Sequence, residues 1–199
     1  MKDEVKIRMA TEKDAAKLLE IYAYYVENTA ITFEWDVPSI SEFADRIKNT
    51  LQKYPYYVAT VTKNDKEKII GYAYASAFKT RAAYDWAVET SIYIDKDCRR
   101  SGTGKLLLEK LESTLQKQNI TNVNACIAYT GYTDTNLTND SMFFHEKMGY
   151  VLAATFHQCG YKFNKWYDLI WMEKMIGEHT NNQKPFIPFS ELKKYQADF

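Results

Sequence analysis

The sequence predicts a mixed α/β (α+β) domain, a twisted central sheet flanked by helices. Three observations predict it. Two amphipathic helices come early; three strands joined by polar stretches then follow, as in an antiparallel meander; strand–helix–strand–helix units complete the chain. The order β α α β β β α β α β β is therefore not that of a purely parallel doubly wound sheet.

Val5 to Met9 alternates and reads as a short strand. Thr11-Glu-Lys-Asp14 opens like a capping box, and Ala15, Leu18, Leu19, Tyr22 and Val26 then recur at helical spacing. Val37-Pro38-Ser39 breaks the chain. The second helix starts with Ser39 and Glu42 at capping-box spacing and carries Phe43, Ile47 and Leu51 on one face. Tyr57 to Val61 and Ile69 to Phe78 read as strands around the polar turn Lys63 to Lys68, and Trp86 to Ile94 as a third. The loop Arg99 to Gly104 enters a helix with Leu107, Leu108, Leu111 and Leu115 on one side. Val123 to Ala128 is a strand, and Asp140 to Met148 a short helix with Asn139 as N-cap and Gly149 as terminator. Val151 to Phe156 and Trp166 to Met172 are the last strands. The domain is expected over residues 1–176. Residues 177–199, polar and then carrying Pro185 and Pro188, read as a tail or docking arm.

A 199-residue chain buries about 70% of its unfolded surface, so the fold requires no disulfide or metal. Twenty-six basic and 26 acidic residues cancel, which excludes the basic footprint of a nucleic-acid binder or an anionic-membrane binder. The longest apolar run falls far short of the ~20 residues of a membrane span, and the charged stretch Met1 to Glu12 is not a secretory signal. Cys98, Cys126 and Cys159 are odd in number and widely spaced. They fit a reducing cytoplasm, not a disulfide framework or a zinc cluster. Among 16 Tyr, 10 Phe and 4 Trp, some are expected to line a pocket and most to fill the core.

The most informative stretch is Arg99-Arg-Ser-Gly-Thr-Gly-Lys105, between a strand and a helix. Two glycines allow close backbone approach to a ligand, and the helix start offers free N–H groups and a positive dipole end to a phosphate. Arg99, Arg100 and Lys105 add charge there. A P-loop would need Gly at 99 and Ser or Thr at 106, and a dinucleotide fingerprint would need Gly at 107; the chain has Arg99, Leu106 and Leu107. An ordinary helix-capping turn is the competing reading of the six residues alone.

Arg99-x-x-Gly102-x-Gly104 in this context resembles the acetyl-CoA signature of the GNAT N-acetyltransferases, and Ser141-x-x-Phe144-x-x-Lys147-x-Gly149-Tyr150 resembles that family's late helix. Tyr54-Pro55, Gly71-Tyr-Ala-Tyr74, Lys79-Thr-Arg-Ala-Ala-Tyr-Asp-Trp86, Glu89-Thr-Ser-Ile-Tyr93, His145-Glu-Lys-Met-Gly-Tyr150 and Gly160-Tyr-Lys162 with Trp166-Tyr-Asp168 are similar to the phosphinothricin and methionine sulfoximine acetyltransferase branch. The likeness runs over about residues 5–174. It implies the GNAT fold, acetyl-CoA as co-substrate and a small-molecule amine as acceptor, an amino acid or analogue, in a homodimer of the kind common in that branch.

An amine near pKa ~10.4 must lose a proton before attack, the tetrahedral oxyanion needs an N–H donor, and a thiolate leaves more readily once protonated. Glu89, a lone acid inside an apolar strand, is the expected general base; a solvent-facing position on an alternating strand is the bland alternative. The resemblance implies that the backbone of Ile92, Tyr93 and Ile94 pairs with the pantetheine arm, an N–H near Tyr93 serving the oxyanion. It implies too that Arg99, Arg100, Ser101, Gly102, Thr103, Gly104 and Lys105 hold the pyrophosphate and Asn139 the pantetheine. His145 stands where the wider family carries a thiolate-protonating Tyr; an acid/base role, thiol positioning or plain packing are its readings. Lys79, Arg81 and Tyr84 with Trp86, and Phe33 and Trp35, are the acceptor-pocket candidates, Arg81 able to grip a carboxylate bidentately. Glu34-Trp35 departs from the basic or polar loop that would suit phosphinothricin itself. Acetylation of another amine (polyamine, aminoglycoside or peptide N-terminus) and a catalytically silent acyl-CoA-binding module are the rival functions. Cys98 lacks an identifiable base and reads as incidental.

Overall fold

The structure, a computed structural model, describes residues 4–63 and 66–192. Its strands are β1 (Val5–Met9), β2 (Tyr56–Lys63), β3 (Lys66–Ala77), β4 (Ala87–Ile94), β5 (Asn122–Tyr129), β6 (Val151–Lys162) and β7 (Lys165–Met175); its helices are α1 (Ala15–Asn28), α2 (Ile40–Lys53), α3 (Thr103–Lys117), α4 (Asp140–Lys147) and α5 (Phe189–Leu192). The strands form one sheet in the order β1-β2-β3-β4-β5-β7-β6. Every neighbouring pair is antiparallel except β4 with β5. The mixed α/β (α+β) architecture read from the sequence is the one observed.

The apolar stripes of the helices decide which face each covers. Leu18, Tyr22, Tyr25 and Val26 of α1 and Phe43 and Ile47 of α2 pack on Tyr56, Val58 and Tyr72. The second helix is set by its capping box: the Glu42 N–H donates to Ser39 Oγ (3.2 Å) while the Ser39 N–H donates to Glu42 Oε2 (2.7 Å). On the opposite face Leu107, Leu108, Leu111 and Leu115 of α3 are all fully buried against Ala59, Ala73, Val88 and Val123. Burial of that kind stabilises by about 1.5–3 kcal/mol per side chain.

Two strands are longer than expected. The strand read as Val151 to Phe156 continues to Lys162, and Trp166 to Met172 extends to Lys165–Met175. A register shift between Phe156 and Gly160, with Gln158 at φ 47°, hides the continuation by interrupting the alternation. The expected Lys63–Lys68 turn includes Asn64 and Asp65, which lie outside the described residues; pairing closes at Lys63 with Lys66.

Residues 177–192 run back over the domain. The Trp86 indole donates to Lys184 O (2.7 Å), the buried Gln118 amide donates to Lys53 O (2.7 Å) and Ile187 O (2.8 Å), and Phe189 and Leu192 are buried. Residues 193–199 of that segment lie outside the described residues. Among the described residues no helix is long and apolar enough to cross a membrane.

Candidate active site

Parallel pairing of β4 with β5 lasts three residues, Ala87 to Glu89 against Asn122 to Asn124, and then the strands splay. A cavity of ≈ 60 Å³ sits in the splay, lined by Thr90 to Tyr93 of β4, Ala125 to Ala128 of β5, Ser141 and His145 of α4, and Ile31, Leu137 and Thr138 from two loops. Ala125 and Ile127 belong to the core under α3, whereas Ala128 belongs to a separate cluster with Ala30, Leu137 and Tyr167. Residues from the cores on both faces of the sheet thus line the cavity.

Hydrogen bonds fix which peptides of β4 face the gap. Trp86 O accepts from Thr121 and Asn122, and Val88 O accepts from the Asn124 side chain, so even-numbered residues turn toward β5. Phe78 donates to Ala87 O and Asp95 donates to Ile70 O, so odd-numbered residues turn toward β3. By this alternation the Ile92 peptide faces the gap and the Tyr93 peptide the β3 ladder. Ile94 also turns away from β3, yet the Tyr25 hydroxyl donates to its carbonyl (2.6 Å) and accepts from its N–H (3.4 Å). The expectation of three consecutive peptides available to a ligand is therefore corrected to Ile92, with Ile94 held by Tyr25.

His145 is buried on α4 between Phe144 and Tyr150, whose rings meet it edge-on. Its Nδ1 lies 2.8 Å from Ser141 O. A carbonyl only accepts, so Nδ1 carries the hydrogen, and in the neutral ring Nε2 is left as an acceptor. Nε2 is buried without a partner among the described residues. Burial pulls the imidazole below its ordinary pKa, offset in part by the Ser141 bond. Such a ring is held neutral and can accept a hydrogen bond at Nε2 from an S–H or N–H donor.

Asn139 occupies the N-cap position of α4, as the sequence reading has it, but makes no side-chain cap hydrogen bond. Its amide instead pairs with Thr130, donating from Nδ2 to Thr130 O (2.9 Å) and accepting the Thr130 N–H at Oδ1 (3.3 Å). Both ends of the side chain are thereby committed to closing the β5–α4 loop.

Glu89 is half-buried at the last paired position of β4. Burial raises its carboxyl above the usual range, and Lys79 pulls it back. The Glu89 charge in turn helps hold the Cys126 thiol up at about 12, behind desolvation as the main cause, so the carboxylate and the cavity wall at Cys126 share one electrostatic environment. Lys79 is exposed, with Nζ 5.1 Å from the Phe78 ring and 5.9 Å from that of Trp171; Tyr84 meets Phe78 edge-on at 6.1 Å. Arg81 is exposed at the entry to the short turn Ala82–Tyr84 and does not line the cavity. Phe33 packs near Tyr167 (6.5 Å), while Trp35 is 66% exposed and lies 6.5 Å from Tyr161. Glu34 is neutralised by Arg46 at 2.8 Å.

At the other end of the splay, α3 begins at Thr103. Gly102 caps it at φ 91° and Arg100 sits at φ 60°, a sharp reversal that leaves the first N–H groups of α3 facing outward. The Ser101 hydroxyl donates to Cys98 O (2.7 Å) and lies 2.8 Å from Thr103 Oγ1. Arg99 spreads over Tyr25 and Tyr24 (5.1 and 5.7 Å), Arg100 lies 3.7 Å from Asp140, and Lys105 lies 3.7 Å from Glu109. A Cβ on Gly104 would only touch the Phe144 ring, so its absence is not forced by packing. Cys98 is half-buried and desolvation raises its thiol, which does not favour a nucleophile.

Sequence reasoning missed Ile31, Leu137, Thr138 and Tyr25, whose apolar or hydroxyl side chains carry no local signal. The comparisons with known proteins agree with the geometry. The family model described as Acetyltransferase (GNAT) domain matches residues 7–171. The phosphinothricin N-acetyltransferase of Streptomyces viridochromogenes is 32% identical over 83% of this chain and 84% of its own. The L-methionine sulfoximine/L-methionine sulfone acetyltransferase of Salmonella typhimurium is 27% identical over 87% and 96%. A GNAT superfamily phosphinothricin acetyltransferase from Sinorhizobium meliloti, solved in complex with AcCoA, superposes with a TM-score of 0.80 at 30% identity, covering 93% of this chain and 98% of that one. With its fold, its splayed strands and its matched family model, the chain belongs to the GNAT acetyltransferases and is an N-acetyltransferase.

Proposed function

We propose that the protein moves an acetyl group from acetyl-CoA directly to the primary amine of an amino acid or amino-acid analogue of the phosphinothricin or methionine sulfoximine kind. The observation that carries this reading is the β4–β5 splay, whose cavity is lined by an unpaired peptide (Ile92) and a partnerless imidazole nitrogen (His145 Nε2), with a carboxylate of raised pKa (Glu89) at the last β4–β5 pair, next in the chain to the lining residue Thr90. These residues fit acetyl-CoA: the gap-facing peptide suits an extended pantetheine arm, and the outward N–H groups of Gly102 to Lys105, with Arg99, Arg100 and Lys105 around them, suit its pyrophosphate.

Acetyl-CoA supplies the activated acyl carbon; what this chain supplies is proton handling and charge stabilisation. Glu89 takes the amine proton, directly or through a water, as the C–N bond forms. The Ile92 N–H stabilises the oxygen as it gains charge. The C–S bond then breaks, and the departing thiolate takes a proton, in net the one that the amine gave up. His145 Nε2 holds the sulfur end once the thiol has formed, by accepting its S–H, and becomes a donor only after taking up a proton itself. Lys79 near Glu89, together with a Glu34 already paired to Arg46, makes the acceptor side basic, which favours a carboxylate-bearing amine over a polyamine. The exposed apolar residues Val151, Leu152 and Phe156 on the edge strand β6 support a homodimer.

Thiol release from acetyl-CoA, measured with methionine sulfoximine, phosphinothricin, common amino acids, polyamines and short peptides, tests this. Turnover of the amino-acid class is expected; turnover of polyamines alone would replace the acceptor, and acetyl-CoA binding with no turnover of any amine would overturn the enzymatic reading for this panel.

A further inference from the structure

The tip of the β6–β7 hairpin lies outside the cavity, yet both loops that wall the cavity are tied to it. Phe163 (φ 52°) and Asn164 (φ 58°) form a two-residue turn closed by the pair Lys162–Lys165. Two lysines directly opposite each other repel, and an aromatic residue at positive φ is strained. Positive φ at both central residues is the ordinary geometry of a two-residue hairpin, so what is particular to this one is a Phe, in place of Gly or Asn, at the first position and a lysine pair closing the turn.

Each lysine serves a different loop. Lys162 is 3% exposed, and its Nζ donates to Thr29 O (3.0 Å) and Thr32 O (2.8 Å), main-chain oxygens of the loop that carries Ile31, Phe33 and Trp35. Lys165 Nζ reaches Asp134 Oδ2 at 2.6 Å. The Asp134 side chain is fully buried and accepts the N–H groups of Asn136 (2.7 Å) and Leu137 (3.1 Å) in the loop that carries Leu137 and Thr138. The loops are also cross-tied, Ala30 N–H donating to Asn136 O at 3.0 Å. A side chain at Gly160 would collide with the Phe33 ring, so the same hairpin also seats the first loop by shape.

We propose that this hairpin is a clamp and that Lys162 is a positioning residue for acceptor specificity: its two carbonyl contacts hold the Thr29–Trp35 loop in the geometry that admits the amine. The proposal rests on the acetyl-transfer reading above for its kinetic consequence but not for its structural one. A buried ammonium held by two carbonyls is costly to desolvate and is kept only if those bonds are made, so its loss releases the loop instead of merely softening it.

The test compares wild type, K162M and K162R by steady-state kinetics with acetyl-CoA and methionine sulfoximine, by acetyl-CoA binding, and by hydrogen exchange of the amides in residues 29–35. Expected for K162M is an amine KM raised about tenfold with kcat and acetyl-CoA affinity changed less than about twofold, the pattern of lost acceptor binding, together with faster exchange confined to that loop and the Asn136 region. K162R, which keeps the donors, restores most of the KM. Unchanged exchange at residues 29–35 in K162M overturns the clamp, as does a KM equal to wild type. If K162M is too unstable to assay, K165M, which lies on the partly exposed side of the turn, must speed exchange at residues 134–137, and failure to do so overturns the clamp equally. Absence of wild-type turnover with every amine would instead overturn the functional reading, leaving the exchange data to decide the clamp.

Discussion

The two halves of the sheet are held by different physics. In the half built from β1 to β4, five consecutive residues of β2, Tyr56 to Thr60, are buried, because α1 and α2 cover one face and α3 the other. In the half built from β5, β7 and β6, the outer strand is exposed over almost its whole length, Val151 and Leu152 at 61% and 60%. β5 and β7 still bury Val123, Ala125, Ile127, Ile170 and Met172 under α3, but a small set of polar ties joins this half to distant segments: Lys162 on the Thr29–Thr32 loop, Lys165 on Asp134, and Lys174 on Glu112 at 2.6 Å. Apolar burial is non-directional and gives the first half its stability. Directional ties give the second half its geometry, and the cavity lies where the two meet.

The comparison can be broken most sharply at the boundary. Glu89→Gln should lower kcat/KM for the amine by about 10²–10⁴ without moving acetyl-CoA affinity or the unfolding midpoint. Wild-type kcat/KM should rise with pH through a pKa above the ordinary carboxylate range, because the base must be ionised and burial favours its neutral form; in the variant this limb should vanish. An unchanged pH profile would remove Glu89 from the mechanism. Leu108→Ala, in the buried half, should cost about 2–5 kcal/mol of unfolding free energy by urea titration. His145→Ala should reduce kcat by roughly tenfold to a hundredfold and should also lower stability, since the ring is buried against Phe144 and Tyr150 and its Nδ1 bonds Ser141 O; a loss confined to stability, with kcat unchanged, would make it a packing residue. Smallest of all, Leu152→Ser on β6 should change unfolding free energy by less than about 0.5 kcal/mol, measured at protein concentrations low enough to exclude self-association. A large loss there would mean that the outer strand is better packed than its exposure indicates.

Much of the first half was legible in the sequence because helical period and capping chemistry are local: Ser39 with Glu42, and the four leucines of α3, announce themselves within a few residues. Glu89 was legible for a related reason, as one charge in an apolar strand. The second half was harder. Gln158 and Gly160 interrupt the alternation of β6, so the strand looked six residues shorter than it is. Lys162 stands in the sequence only within the family-like run Gly160-Tyr-Lys162, and its burial is not legible there because the carbonyls it binds lie more than a hundred positions away. Asn139 stands at the cap position that its residue type announces, but its amide is taken by a competing partner, Thr130 across the loop, which no local pattern reveals. The peptide alternation that selects Ile92 over Tyr93 depends on sheet register, which periodicity alone does not reveal.

The fit of Gly160 to the Phe33 ring has an evolutionary consequence. The backbone of Gly160 does not adopt the left-handed conformation, so only the neighbouring ring forbids a side chain there. Positions 33 and 160 should therefore change together: descendants that acquire alanine or larger at 160 need a smaller residue at 33, and, on the proposal that the loop of residue 33 admits the acceptor, such a paired exchange is a two-step route by which a related enzyme could drift from one amine to another while its acetyl-transfer machinery stays untouched.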